Sequence, residues 1–170
     1  MTSDTITITI SASRAAQVES VIRKFVASFQ KPIDSMEEFT SIFHPDIEWY
    51  DHAFLIRRVG HTAIAGLHKG FTWCNDPFKV KFKSITPTAT GAILEQVWIG
   101  NLSRDLVRPN GDVAIKATGK DYKCHVCMPI QVDEQGLITR IDEYYNKHWD
   151  DGIPEEDYLI MKGPSMKSNV

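Results

Sequence analysis

The sequence predicts an α+β domain in which a curved antiparallel sheet wraps around N-terminal helices. Two observations carry this expectation. Apolar residues recur mostly at three- and four-residue intervals as far as Trp73, and from Phe78 onward the period changes to two. A third bounds it: 170 residues with 42% hydrophobic, 24% charged and 10% aromatic side chains suit one core with room for an internal pocket, not two full domains.

Each element follows from its local pattern. Thr and Ile alternate from Thr5 to Ile10, which reads as a short strand, an extended arm or a tail, and Ser11 or Ser13 offers a cap for the next helix. Over residues 15–30, Val18, Val21, Ile22, Phe25, Val26 and Phe29 form one apolar stripe, and Lys31-Pro32 ends it. Ser35 with Glu38 makes a capping box for a short helix over residues 35–43, with Met36, Phe39 and Phe43 on its apolar side, broken by His44-Pro45-Asp46. Residues 47–52 read as a strand, and residues 61–73 as a third helix carrying Ile64, Leu67, His68 and Phe71 along one side. Phe78, Val80 and Phe82 then alternate with Lys79, Lys81 and Lys83, a strand with one dry and one wet face. Further strands are expected over residues 92–102, 120–132 and 137–145, the last two joined as a hairpin through Asp133-Glu134-Gln135-Gly136. Residues 104–119 form a longer excursion with a turn at Pro109-Asn110-Gly111. The arm is assigned to residues 1–14, the domain to 15–149, and a lid or docking tail to 150–170.

Charge and cysteine content narrow the function. The net charge of −3 is too mild to steer a polyanion, so no nucleic-acid partner is expected. Cys74, Cys124 and Cys127 are too few for a disulfide framework, and strand alternation sends Cys124 and Cys127 of the C-x-x-C to opposite faces, so packing thiols in a reducing compartment are expected. The N-terminus lacks the pattern of a secretory signal and no apolar run has the length of a membrane span, which makes a cytoplasmic protein without membrane contact the expectation. His44, Asp46, Asp51 and His52 lie close in sequence but fit no compact metal set, and no G-x-S-x-G, phosphate-cradling glycine loop or dinucleotide fingerprint occurs.

Two polar clusters interrupt otherwise apolar strands. In Glu48-Trp49-Tyr50-Asp51-His52, alternation puts Tyr50 and His52 on one face and Trp49 and Asp51 on the other. If the Tyr50 face looks inward, a phenol and an imidazole could donate hydrogen bonds to a carbonyl or move a proton; otherwise this is a strand end with satisfied polar groups. In Ile141-Asp142-Glu143-Tyr144-Tyr145, the same rule groups Glu143 with Ile141 and Tyr145. A glutamate held among such neighbours has its ionised form disfavoured, which suits a general acid or base; the alternative is a surface carboxylate in a structural hydrogen bond. Gln96 and Trp98 share a face and suit a pocket wall for a planar ligand, although ordinary packing explains Trp98 equally well. His68 could reach the pocket, but a satisfied core histidine is favoured. Trp73 and Asp51 complete the candidate substrate-binding set of Trp98, Gln96, Tyr145 and His68.

The phrases "HPDIEWYDHAF", "GHTAIAGLHKGF" and "DEQGLITRIDEYYN", in this order of helices and strands, resemble the SnoaL-like branch of the nuclear transport factor 2-like superfamily over roughly residues 15–149. The resemblance implies a cone enclosing a pocket, frequent homodimers, and a branch containing polyketide cyclases, isomerases, dehydratases and epoxide hydrolases, many needing no cofactor. It also implies a catalytic carboxylate a few residues after the final hairpin, which falls on Glu143. The Arg and second Asp of limonene epoxide hydrolases are missing, since the matching stretch here is Glu95-Gln96-Val97-Trp98. The expectation is therefore a cofactor-independent, metal-free acid/base enzyme, a cyclase, isomerase or dehydratase, acting on a hydrophobic carbonyl-containing intermediate of specialised metabolism. Its catalytic residues would be Glu143, His52 and Tyr50. Rival expectations are a non-catalytic small-molecule-binding or scaffold protein of the same fold, and a structural subunit that pairs through its sheet.

Overall fold

The computed structural model describes residues 10–30, 35–108 and 110–146. Helix α1 (Ala12–Ser28) begins where the Ser11 side chain accepts the Arg14 N–H, and it buries Val18, Val21, Ile22, Phe25 and Val26, the stripe read from its periodicity. Helix α2 (Met36–Thr40) is capped by Ser35, which accepts the Glu38 N–H at 3.0 Å. It ends earlier than the sequence suggested, because Phe43 already belongs to strand β1 (Phe43–Asp51). That strand passes through Pro45 with an irregular register between Phe43 and Glu48, so the His44-Pro45-Asp46 break bends a strand.

Strand β2 (Ile56–Val59), which the sequence reading missed, hairpins back on β1 before helix α3 (Gly60–Cys74). Four long strands complete the main sheet together with these two: β3 (Asn75–Thr88), β4 (Gly91–Leu102), β7 (Asp121–Val132) and β8 (Ile138–Tyr145). The residue order places β5 (Leu106–Val107) and β6 (Val113–Ile115) between β4 and β7, as a separate two-stranded sheet inside the predicted excursion. The main sheet has the order β2-β1-β8-β7-β4-β3. All neighbours are antiparallel except β1 and β8, which run parallel, so the expected antiparallel sheet is in fact mixed. The last hairpin turns where predicted, with Gly136 at φ 86°, a conformation that side chains resist.

The core lies between the helices and one face of this sheet. Phe25 packs its ring against Phe43 and Trp49, and Phe29 against Phe39 and Phe71. Such ring pairs add roughly 0.5–1.5 kcal/mol each beyond the burial of their area. From the sheet, Trp49, Leu94, Trp98, Cys124, Val126, Met128, Ile130 and Ile141 point into the same volume. On the inner face of β7 the buried residues are apolar, and a hollow opens towards the end where β1 and β8 carry Asp51 and Glu143. The N-terminal strand-or-arm reading and the tail over residues 150–170 lie outside the described residues, apart from residues 10–14, of which the last three belong to α1.

Candidate active site

The parallel pairing of β1 with β8 sets Trp49 beside Ile141 and Asp51 beside Glu143, and the ladder continues with the His52 N–H donating to the Glu143 carbonyl at 3.1 Å. Neighbouring strands stand roughly 5 Å apart, so two carboxyl side chains share one face of the sheet at close range. Both are buried: Asp51 is 5% and Glu143 4% exposed. They line a cavity of about 480 Å³ between the sheet, α3 and the β5–β6 flap. Phe54, Leu67, Phe71, Trp98, Leu102 and Leu106 supply much of its apolar wall, and the volume falls in the range that holds small organic ligands. The flap reaches α3 because Gly70 has no side chain: a Cβ there would stand 2.8 Å from Leu106 Cδ1.

Polar groups converge on the two acids. Trp49 Nε1 donates to Glu143 Oε2 at 2.8 Å. Asp51 accepts the Phe54 N–H at 2.9 Å and the Tyr145 hydroxyl at 3.2 and 3.3 Å to its two oxygens. Burial is the main force on Glu143, raising its carboxyl to about 8; the negative charge of Asp51 adds to this, while Trp49 and Arg58 oppose it. Near neutral pH, Glu143 is therefore mainly an uncharged acid. Burial pushes the Tyr145 phenol well up, helped by Glu143 and Asp51, so it remains a donor, and burial raises the Cys74 thiol at the cavity wall to about 11.

Of the residues selected from sequence, Glu143, Asp51, Trp98 and Tyr145 meet at this cavity. Gln96 lies on the same face but lines a neighbouring void of about 20 Å³, which Glu143 and Trp98 also border. Tyr50, His52 and Trp73 are corrected in position, and His68 leaves the candidate substrate-binding set for the core place that the sequence favoured. Tyr50 and His52 occupy the opposite face: the Tyr50 hydroxyl donates to Glu48 at 2.7 Å, and His52 pairs with Asp142 at 2.9 Å and stacks on Tyr144 at 4.4 Å. The alternation was right, but its phase is set by Ile47 and Trp49, which are more apolar than their neighbours and go inward. His68 is a core residue, its Nε2 2.9 Å from the Ser28 carbonyl and its ring between those of Phe29 and Phe39; burial lowers its pKa, which favours the neutral ring. Trp73 is 60% exposed beneath Arg104, because it sits about 200° around the helix from Phe71.

Arg58 and Arg108 were missed, and both line the cavity. Arg58 is carried by the short edge strand β2, opposite Trp49, and Arg108 by the flap. Neither segment is long enough to show a period, and without one an arginine carries no signal of its own direction. Among the described residues no group of three or more His, Cys, Asp and Glu side chains forms a metal-binding set. No described helix is long and apolar enough to cross a membrane.

No family model matches the chain, and no curated protein matches it in sequence. Solved structures do match in shape. A candidate SnoaL-like polyketide cyclase from Jannaschia sp. CCS1 superposes with a TM-score of 0.69 at 10% identity, covering 87% of this chain and 100% of the other. A candidate polyketide cyclase from Xanthomonas campestris pv. campestris gives 0.63 at 18% identity, covering 83% and 98%. A hypothetical protein with a ketosteroid isomerase-like fold from Catenulispora acidiphila DSM 44928, in complex with trimethylamine, gives 0.61 at 14% identity, covering 82% and 97%. At these identities the likeness concerns the fold.

Proposed function

Starting from a chain with the SnoaL-like, nuclear transport factor 2-like cone fold, we propose a cofactor-independent acid/base enzyme that enolises a hydrophobic carbonyl compound. The observation that carries this reading is the pair Asp51 and Glu143, buried side by side at an apolar cavity where burial raises the Glu143 carboxyl. Two carboxyl groups in one pocket can divide acid and base work between them. The Glu143 proton passes to the carbonyl oxygen while Asp51 removes a proton from the adjacent carbon, leaving a neutral enol. Tyr145 and the Phe54 N–H hold Asp51 in place. Returning the proton at another carbon gives isomerisation, attack of the enol on a second carbonyl gives cyclisation, and loss of a β-hydroxyl gives dehydration.

The reading extends to specialised metabolism as the source of the substrate and to a homodimer. The outer face of the sheet supports the latter, with Ile93, Ile99 and Tyr144 partly exposed on it. Sedimentation equilibrium reads the dimer directly; a monomer across the micromolar range would remove that part.

The chemistry is tested by NMR, following deuterium uptake from D2O at the α-carbon of 2-tetralone, a bicyclic apolar ketone. The protein should accelerate exchange over buffer, and Glu143→Gln should lose roughly 100-fold or more of that acceleration. Exchange no faster than in buffer, or a folded Glu143→Gln protein as fast as the parent, contradicts the reading. A ligand held unchanged in the same cavity would favour a carrier.

A further inference from the structure

Arg58 is out of keeping with a cavity built only for a neutral ketone. Its side chain is 18% exposed, and its Nη1 is buried without a hydrogen-bond acceptor. Asp51 Oδ2 lies 3.7 Å away, close enough for Coulomb attraction and too far for a hydrogen bond. A buried donor without an acceptor costs free energy in the folded protein, and it persists where a ligand supplies the missing oxygen.

The charge balance of the cavity leads the same way. Among the described lining residues, Arg58 lies against Asp51, and burial raises Glu143, Tyr145 and Cys74 towards their protonated forms. Arg108, exposed on the flap, adds a second guanidinium to a wall otherwise dominated by Leu, Phe, Ile and Val side chains. An anionic guest suits two guanidiniums in such a wall, and the planar fork of a guanidinium with a free N–H matches the two oxygens of a carboxylate.

We propose that the cavity takes an apolar molecule bearing one carboxylate, anchored by Arg58 and drawn in by Arg108, so that the substrate class is a hydrophobic keto acid. This rests on the enolisation reading for its keto part, and on the cavity and the two arginines alone for its acid part. Arg58 acts here as a specificity residue: it grips the carboxylate and takes no proton in the reaction.

Isothermal titration at pH 7 with 2-naphthoate and 2-naphthamide tests it, since the two probes share a ring system and differ in charge. The expected result is naphthoate bound about tenfold or more tightly than naphthamide, the scale of one charge-assisted contact. Arg58→Gln should bring the two probes to similar affinity, Arg58→Lys should restore part of the preference, and Arg108→Gln should weaken naphthoate several-fold without affecting naphthamide. Should Arg58→Gln fail to fold because Asp51 loses its counter-charge, the unmodified protein and Arg108→Gln still decide. Equal binding of the two probes by the unmodified protein overturns the proposal while leaving 2-tetralone exchange free to succeed. A preference that survives both arginine substitutions overturns the anchor, and absence of binding by either probe overturns the proposal whatever the exchange assay gives.

Discussion

Asp142 and Glu143 are consecutive residues of β8, yet the strand turns them to opposite sides of the sheet and into opposite chemistry. On the outer side, Asp142 takes two hydrogen bonds from Arg140, at 2.6 and 2.8 Å, and faces His52; these partners hold its carboxyl below the usual range. On the inner side, Glu143 has a single donor, the Trp49 indole, and burial beside Asp51 raises it to about 8. The comparison teaches that charge density on a strand is a poor guide to a reactive site. The outer cluster of Glu48, Tyr50, His52, Arg57, Arg140 and Asp142 is richer in ionisable groups, but its members satisfy one another. Glu143 is poor in partners by contrast, and its burial keeps a proton available.

The largest contrast should appear in catalysis. Glu143→Gln is expected to lose roughly 100-fold or more in the rate of 2-tetralone exchange, whereas Asp142→Asn should leave that rate near the parent value. A loss of similar size from Asp142→Asn would break the distinction between the faces.

Stability against pH should differ in sign between the two acids. Glu143 has a folded value near 8 and an ordinary unfolded one, so its burial is cheap below the unfolded value and becomes destabilising as pH rises towards 8. Relative to Glu143→Gln, the parent should lose up to about 1.4 kcal/mol per pH unit across that window, read by urea denaturation. For Asp142 the folded value is the lower one, so its contribution is present above the unfolded value and lost as pH falls through the folded one. Only Asp142→Asn should therefore flatten the acid limb.

Smaller effects sharpen the same picture. Trp49→Phe removes the hydrogen bond that the indole donates to the Glu143 side chain, and should cost about 1–3 kcal/mol in denaturation while moving the Glu143 midpoint further upward. His52→Ala removes a partly exposed hydrogen bond to Asp142 and should cost within about 1 kcal/mol, with no movement of that midpoint.

Much of this fold was legible because long segments repeat one period. The stripe Val18, Ile22, Phe25 and the alternation around Met128 each bury the residues that their spacing names. Glu143 was legible for the same reason, flanked by Ile141 and Tyr145 in a strand of clear phase. The phase of β1 was misjudged because polar chemistry at Tyr50 and His52 was weighed above the apolar pair Ile47 and Trp49, although burial energy favours the latter by far. Arg58 was hidden for a different reason: four residues of edge strand show no period, and its position depends on pairing with Trp49, a contact across the hairpin that no local pattern encodes.

The central claim is that Glu143 stands protonated at neutral pH in the apolar cavity. A pH titration of its carboxyl carbon by 13C NMR, assigned by comparison with Glu143→Gln, measures this directly. The account predicts a protonated carboxyl at pH 7 with a midpoint about 8. A midpoint in the ordinary range of glutamates, with the carboxylate formed at pH 7, would contradict it.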